Sequence, residues 1–328
     1  MTYRAVLCRE LGSPDVLRVE ALPDPPLGPG EVRVGIAAAG VNFPDLLTVA
    51  GKYQHKPDLP FTPGMEAAGT VIETGAGAAT FRPGDRVVAR SKTGAFAERM
   101  VAPEAALTPL PDALSFEEGA TFHVGFATAW HALVTRGAAC AGEHVLVTGA
   151  GGGVGLAAVA VAAHRGATVV AAASTPEKRE AARAAGAAHV IDADAADFGA
   201  QVRAATGGRG ADLIYDPVGL PPLDLIRAAA FGGRILVIGF AGGAIPDWPA
   251  NRVLLKCLSV VGVRAGEWGR RFPQDGAAEL ARLWELAATG ALRPRVTRRF
   301  PLEGAADALR ALERREAVGR MVVVPGAL

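Results

Sequence analysis

Val147-Thr148-Gly149-Ala150-Gly151-Gly152-Gly153-Val154-Gly155 is the stretch that decides how this chain is read. It follows an apolar run of strand length, His144 to Val147, and precedes Leu156 to His164, an Ala/Val-rich run that reads as a helix packed on a sheet. Strand, glycine turn and helix in that order leave backbone N–H groups unpaired at the positive end of a helix, where a diphosphate can sit. Aligned on Gly152 and Gly155, the first position of the G-x-G-x-x-G pattern is Ala150, so the spacing is a variant. Gly152 would let a diphosphate approach the backbone, and Gly155 would let the helix lie close to the strand. A following strand, Thr168 to Ala172, completes the unit. Dinucleotide binding is the expectation, with Ala150, Gly151, Gly152, Gly153, Val154 and Gly155 as the cradle.

The next strand points to the kind of dinucleotide. Units that bind NAD end their second strand with an Asp or Glu that holds the ribose 2′-hydroxyl. Here the strand ends Val170-Ala171-Ala172-Ala173-Ser174, without an acid. Small residues leave room for a 2′-phosphate, and Ser174 can donate a hydrogen bond to it. Lys178 and Arg179 follow at the start of the helix expected over Pro176 to Ala185 and can supply positive charge, although both also suit an ordinary charged helix face. NADPH is expected over NADH.

Outward from this core the texture divides in two. Up to about Glu118, short strand-like runs (Val32 to Ala38, Gly69 to Thr74, Asp85 to Ala89) alternate with Pro-Gly turns at 29–30, 63–64 and 83–84, the pattern of a β-rich domain. From about Thr121, strands alternate with helices. Val190-Ile191, Asp212 to Tyr215, Arg234 to Ile238 and Leu258 to Val263 bring the strands to six, which suits a doubly wound parallel α/β sheet. The 328 residues are enough for about two domains. A formal net charge of +1 gives no basic surface for nucleic acid. No apolar run approaches the roughly 20 residues that span a bilayer. Cys8, Cys140 and Cys257 are odd in number and scattered, so no disulfide framework is expected. A cytoplasmic protein fits this composition.

Several segments together resemble the zinc-free quinone oxidoreductases of the medium-chain dehydrogenase/reductase superfamily, the zeta-crystallin-like group. They are Ala38 to Tyr53 (AAGVNFPDLLTVAGKY), Leu59 to Val71 (LPFTPGMEAAGTV), Phe126 to Leu133 (FATAWHAL), the glycine turn, Tyr215 to Gly219 (YDPVG) and Gly239 to Val263. The resemblance runs in order along nearly the whole chain. It implies a Rossmann domain over 121–264 and a GroES-like β-rich domain over 1–120 to which 265–328 return. It further implies reduction of quinones or related conjugated carbonyls with NADPH, commonly by a homodimer.

Zinc-dependent relatives place a thiolate and an imidazole where the metal polarises a carbonyl. This chain reads Gly40-Val41-Asn42-Phe43-Pro44-Asp45 at the first place and Gly64-Met65-Glu66 at the second, with no Cys and with Met for His. No metal is expected. Without a Lewis acid, alcohol oxidation lacks a means of stabilising its alkoxide. A conjugated acceptor delocalises the incoming charge and needs only positioning, a hydrogen-bond donor and a proton.

The resemblance names the residues for that work. Asn42 matches an Asn near nicotinamide and substrate, where its amide would bond the carboxamide or a developing oxyanion; as an alternative it caps the helix that begins near Pro44. Tyr53 matches a cleft Tyr whose phenol could donate a proton, or merely shape the pocket. His55 is a second donor or a solvated loop residue. Thr128 matches a Thr near the nicotinamide ribose, with a bond back into its own helix as the alternative. Phe240 follows the fifth strand of the dinucleotide unit, where the nicotinamide crosses the sheet edge, unless it is plain core. Arg315, or its neighbour Arg314, matches an Arg that approaches the cofactor. The family often carries a Tyr after the third strand of this unit, but Ala193 follows Ile191-Asp192 here, so adenosine recognition leans on Ser174 and Lys178. Three functions remain open: quinone reduction, reduction of 2-alkenals or enones by the same hydride geometry, and nucleotide binding with little turnover.

Overall fold

In the computed structural model, which describes residues 2–326, the strand before the glycine turn lies inside a six-stranded parallel sheet. Its strands are His144–Val147, Thr168–Ala173, His189–Asp192, Ala211–Asp216, Ala229–Val237 and Ser259–Gly262. Numbered in chain order, they run 3-2-1-4-5-6 across the sheet, every pairing parallel. This is the doubly wound order that the sequence pattern implied. The apolar runs are unbroken because the strands are covered. Val145, Leu146 and Val147, and Val169 through Ala172, have no solvent exposure. Helices Gly153–His164, Pro176–Ala184, Phe198–Ala205 and Pro222–Ala228 connect the first five strands. Leu146, Val170, Ile214 and Ile235 from the sheet pack with Val202 and Leu225 from these helices.

Contacts divide the chain into two units, Gly125–Pro294 and the remainder, the latter made of the residues up to Val124 together with those from Arg295 on. The return to the first unit therefore falls at Arg295, not near 265. Glu279, on helix Pro273–Ala288, lies 3.1 Å from His131 Nδ1 and accepts a hydrogen bond from Thr135. The Trp268 ring lies against His131 at 5.2 Å. These contacts keep 265–294 with the parallel sheet. Two short helices, Ala250–Leu255 and Ala265–Arg271, fall where the sequence reading placed none.

The first unit is built on a largely antiparallel seven-stranded sheet. Its main order is Val296–Pro301, Arg320–Val324, Glu31–Gly40, Glu66–Thr74, Arg86–Arg90 and Leu107–Pro109, with Arg99–Pro103 also paired to Glu31–Gly40. Thr2–Cys8 and Leu17–Pro23 form a separate antiparallel pair. The C-terminal segment is integral: Val322 and Val323 pair with Gly40 and Ala39, beside Glu66, which pairs with Gly40 on the other side. Two strands cross closely at Gly69, where a Cβ would stand 1.8 Å from the Gly35 carbonyl oxygen. Val32, Val34, Ile36, Phe96, Met321 and Val323 lie in one core.

Candidate functional site

The glycine turn leaves the C-terminal end of the first strand of the parallel sheet, where strand order reverses. Each glycine has its own reason. A Cβ at Gly155 would stand 2.2 Å from the Gly149 carbonyl oxygen, so only glycine lets the helix lie on the turn. A Cβ at Gly151 would stand 2.4 Å from Lys178 Cβ, because the lysine stem lies along the turn. At Gly152 the nearest atom would be 3.5 Å away. The protein does not itself require glycine there, and the space is open to a ligand. Gly153, Val154 and Gly155 open the helix, and such N–H groups have no intrahelical acceptor. Ala150 and Gly152 do not add theirs: the Ala150 N–H donates to Ala172 O at 3.0 Å and the Gly152 N–H to Gly149 O at 3.1 Å. Of the expected cradle residues, these two therefore have their own N–H groups engaged, one with the neighbouring strand and one within the turn.

Asp216 ties this turn to the fourth strand. Its carboxylate accepts from the Thr148 hydroxyl at 2.6 Å and from the N–H groups of Val218, Gly219 and Leu220. Burial lifts its pKa above the ordinary carboxylate range, and these donors pull the other way. The next loop is laced to it by Ala241 N–H to Pro217 O and Gly242 N–H to Val218 O. Phe240 is half-buried on that loop, and a Cβ at Gly219 would lie 3.0 Å from its ring. Thr128 is half-buried on helix Phe116–Trp130, and no hydrogen bond ties its hydroxyl back into the helix among the described residues.

At the end of the second strand, Ser174 is exposed and Lys178 half-buried. Arg179 is committed elsewhere: its guanidinium donates to Ala173 O and Ser174 O and pairs with Asp192 at 3.2 Å. The sequence reading found no acid on this strand. The structure brings one from the next, because Asp192 pairs with Ala173 across the sheet. Arg179 neutralises it.

In the first unit a polar cluster is buried that sequence reasoning only partly found. Glu66 is fully buried and pairs with Arg320, which is 6% exposed. Asn42 Nδ2 donates to Glu66 Oε1 at 3.1 Å and to Gly40 O at 3.3 Å, while its Oδ1 accepts from Arg320 at 2.9 Å. Both amide hydrogens are spent, so the expectation that Asn42 donates to an oxyanion is corrected: it positions Glu66 and Arg320. Asn42 is also the N-cap of helix Phe43–Val49, in a capping box with Asp45. Asp45 does the reciprocal work, accepting from the Asn42 N–H at 2.8 Å. Burial, with Glu66 nearby, raises Asp45 to about 7 against its two backbone donors, Asn42 and Gly64. Val124 N–H closes the cluster on Glu66 Oε2 at 3.0 Å. The available signals were Glu66 beside the missing His, and a lone Arg opening the apolar strand Arg320–Val324.

Tyr53 is half-buried in the loop after helix Phe43–Val49, its N–H held by Leu47 O. His55 lies in the same loop. Arg315 is exposed at the end of helix Ala305–Glu313, in the left-handed region with φ 56°, and stands outside the buried cluster. Among the described residues, no group of three or more His, Cys, Asp or Glu is placed to hold a metal ion, and no helix is long and apolar enough to cross a membrane.

A family model described as alcohol dehydrogenase GroES-like domain matches residues 28–112, and one described as zinc-binding dehydrogenase matches residues 153–282. Quinone oxidoreductase-like protein 2 of Mus musculus is 37% identical over 326 residues, 98% of this chain and 92% of that protein. The chain belongs to the quinone oxidoreductase-like medium-chain dehydrogenases/reductases. Solved structures of this family superpose closely. The quinone oxidoreductase of Pseudomonas syringae pv. tomato has a TM-score of 0.89 at 30% identity, covering 98% of this chain and all of that one. That of Escherichia coli, solved with NADPH, has a TM-score of 0.87 at 28% identity and the same coverage. The antiparallel first unit is the family's GroES-like part, the parallel second unit its Rossmann part, and membership makes the chain an oxidoreductase.

Proposed function

We propose that this protein reduces quinones, or conjugated carbonyls of similar reactivity, with NADPH and without a metal. The observation that carries the reading is Gly152, a position the protein leaves open beside the unpaired N–H groups of Gly153, Val154 and Gly155. A coenzyme diphosphate fits that cradle. The E. coli relative was solved with NADPH, which supports the same nucleotide here. Bound there, NADPH would supply a hydride, and the acceptor would take it up together with one proton.

The chain's own residues would do the rest. Lys178, lying over Gly151, and the exposed Ser174 would hold the 2′-phosphate. Arg179 would act indirectly, by cancelling Asp192. Phe240, and Thr128 with its hydroxyl not bonded back into the helix, would order the nicotinamide end. In the first unit, Tyr53 would furnish the proton, Asn42 would hold the Glu66–Arg320 pair in place, and Arg315 remains a candidate contact to the nucleotide. Met65 and Asn42 stand where zinc relatives use metal ligands, so activation falls to the acceptor's own conjugation. The exposed edge strand Ser259–Gly262 supports a homodimer.

The test is a titration with NADPH and NADH, followed by a panel of quinones and enals and by metal analysis. Tighter NADPH binding, turnover of a conjugated acceptor and less than stoichiometric zinc are expected. An enal preference would move the substrate to the 2-alkenal class. Tight NADPH binding with no acceptor turned over would make the protein a nucleotide binder, and no affinity for either coenzyme would end the proposal.

A further inference from the structure

Arg90 is a shielded cation without a counter-charge. It ends strand Arg86–Arg90 and is half-buried, and its Nε is closed to solvent with no hydrogen-bond partner. Other arginines with a similarly shielded nitrogen each meet a carboxylate: Arg33 meets Glu73, Arg99 Asp24, Arg234 Glu143 and Arg320 Glu66. Among the described residues Arg90 meets none. Sequestering a guanidinium without a partner is costly, so such a group is retained where something else supplies the anion.

Its surroundings narrow what that anion is. Arg90 pairs directly with Glu66 across the antiparallel ladder, which puts both side chains on one face of the sheet. Glu66 does not serve as the partner, because Arg320, Asn42 and the Val124 N–H take its oxygens. His123 precedes Val124, whose N–H is bonded to Glu66, the residue paired with Arg90; burial and then the Arg90 charge press the His123 pKa down to about 3, so the imidazole is neutral. Its Nδ1 is also shielded and without a partner. The chain runs on from Arg90 into the exposed Ser91 and Lys92, which leaves an approach from solvent and a second cation nearby. A fork of guanidinium donors with a neutral imidazole beside it suits a planar carboxylate or a phosphate oxygen pair.

We infer that Arg90 and His123 form an oxyanion subsite of the first unit, and that the acceptor this protein reduces carries a carboxylate or a phosphate. The inference rests on the reductase reading for the word acceptor, and on the unpaired guanidinium alone for the subsite. The rival source of the anion is a phosphate of the coenzyme, so the test separates the two.

The informative pair of acceptors is 3-benzoylacrylate and its methyl ester, an anion and a neutral molecule with the same conjugated carbonyl. With NADPH, Arg90→Gln is expected to raise KM for the acid about tenfold or more and to leave the ester within about twofold, with Arg90→Lys recovering part of the loss. NADPH affinity should be unchanged. Arg90→Met should be at least as heat-stable as the parent, since it removes an unpaired charge. Calorimetric titration with 3-benzoylpropionate and phenyl phosphate, which offer no conjugated double bond to reduce, reads the subsite without turnover and tells carboxylate from phosphate. Binding of either by the parent and loss in Arg90→Gln supports the subsite even if no acceptor is reduced, a result that would count against the reductase reading alone. An equal effect on acid and ester, a weakened NADPH, a less stable Arg90→Met or no binding of either anion overturns the inference.

Discussion

Tyr215 buries a phenol whose hydroxyl has no hydrogen-bond partner among the described residues. The residue has no exposure, and burial raises its pKa above the usual phenol value. Tyr215→Phe removes an unsatisfied group at little change of volume, so it is expected to stabilise the protein by about 1 kcal/mol, read as an upward shift of the melting midpoint. A loss of stability would mean that the hydroxyl has a partner in solution. Asp45 carries the opposite kind of strain. Burial pushes its pKa up to about 7 in the fold, from an ordinary 3.8. Between those values the native state keeps a proton that the unfolded chain gives up, so its contribution to stability falls as pH rises from about 4 to about 7. Asp45→Asn should flatten that slope in urea unfolding measured across the interval, and parallel slopes for the two proteins would reject the assignment. At this scale the sequence singled out Asn42 but not the bonds it spends. Which hydrogen bonds Asn42 spends depends on Glu66 and Arg320, which are 24 and 278 residues away. No local pattern announces such partners.

The strand, turn and helix around 147–164 were legible because every cause of their form is local: apolar period, glycine and length. Strand His144–Val147 falls where the pattern put it. The helix after the turn begins at Gly153, ahead of the apolar run at Leu156, because glycine in a first turn carries no hydrophobic signal. The different reasons for the glycines give a paired test. Gly155→Ala drives a methyl group into the Gly149 carbonyl and should destabilise the fold by about 2 kcal/mol or more. Gly152→Ala finds 3.5 Å of clearance and should cost under about 1 kcal/mol of stability while weakening NADPH binding about tenfold, since the methyl group occupies the cradle. Thermal melts give the first half and fluorescence titration the second. Equal NADPH affinity in Gly152→Ala and the parent would remove the diphosphate from this turn.

For the whole molecule, the parallel sheet could be read from alternation alone, whereas the first unit's sheet could not: its order joins residues 31–40 to 320–324, a pairing that only the family resemblance had foreshadowed. The proposed homodimer is a property of the same non-local kind. Strand Ser259–Gly262 ends the parallel sheet with one neighbour only, and Val260 on it is 38% exposed. On the neighbouring strand and the helix just before it, Phe231, Leu254 and Leu255 are all at least 68% exposed. An unprotected edge beside apolar side chains invites another strand, and natural proteins blunt such edges unless they are used. A second copy meeting this edge about a two-fold axis would join two six-stranded sheets into one and cover those side chains. Sedimentation equilibrium at micromolar protein should give about twice the 33.6 kDa of the chain. Val260→Lys places a charge against its own symmetry mate and should yield a monomer with unchanged circular dichroism. A parent protein that sediments as a monomer, or a Val260→Lys variant that stays dimeric, would place the contact elsewhere or deny it.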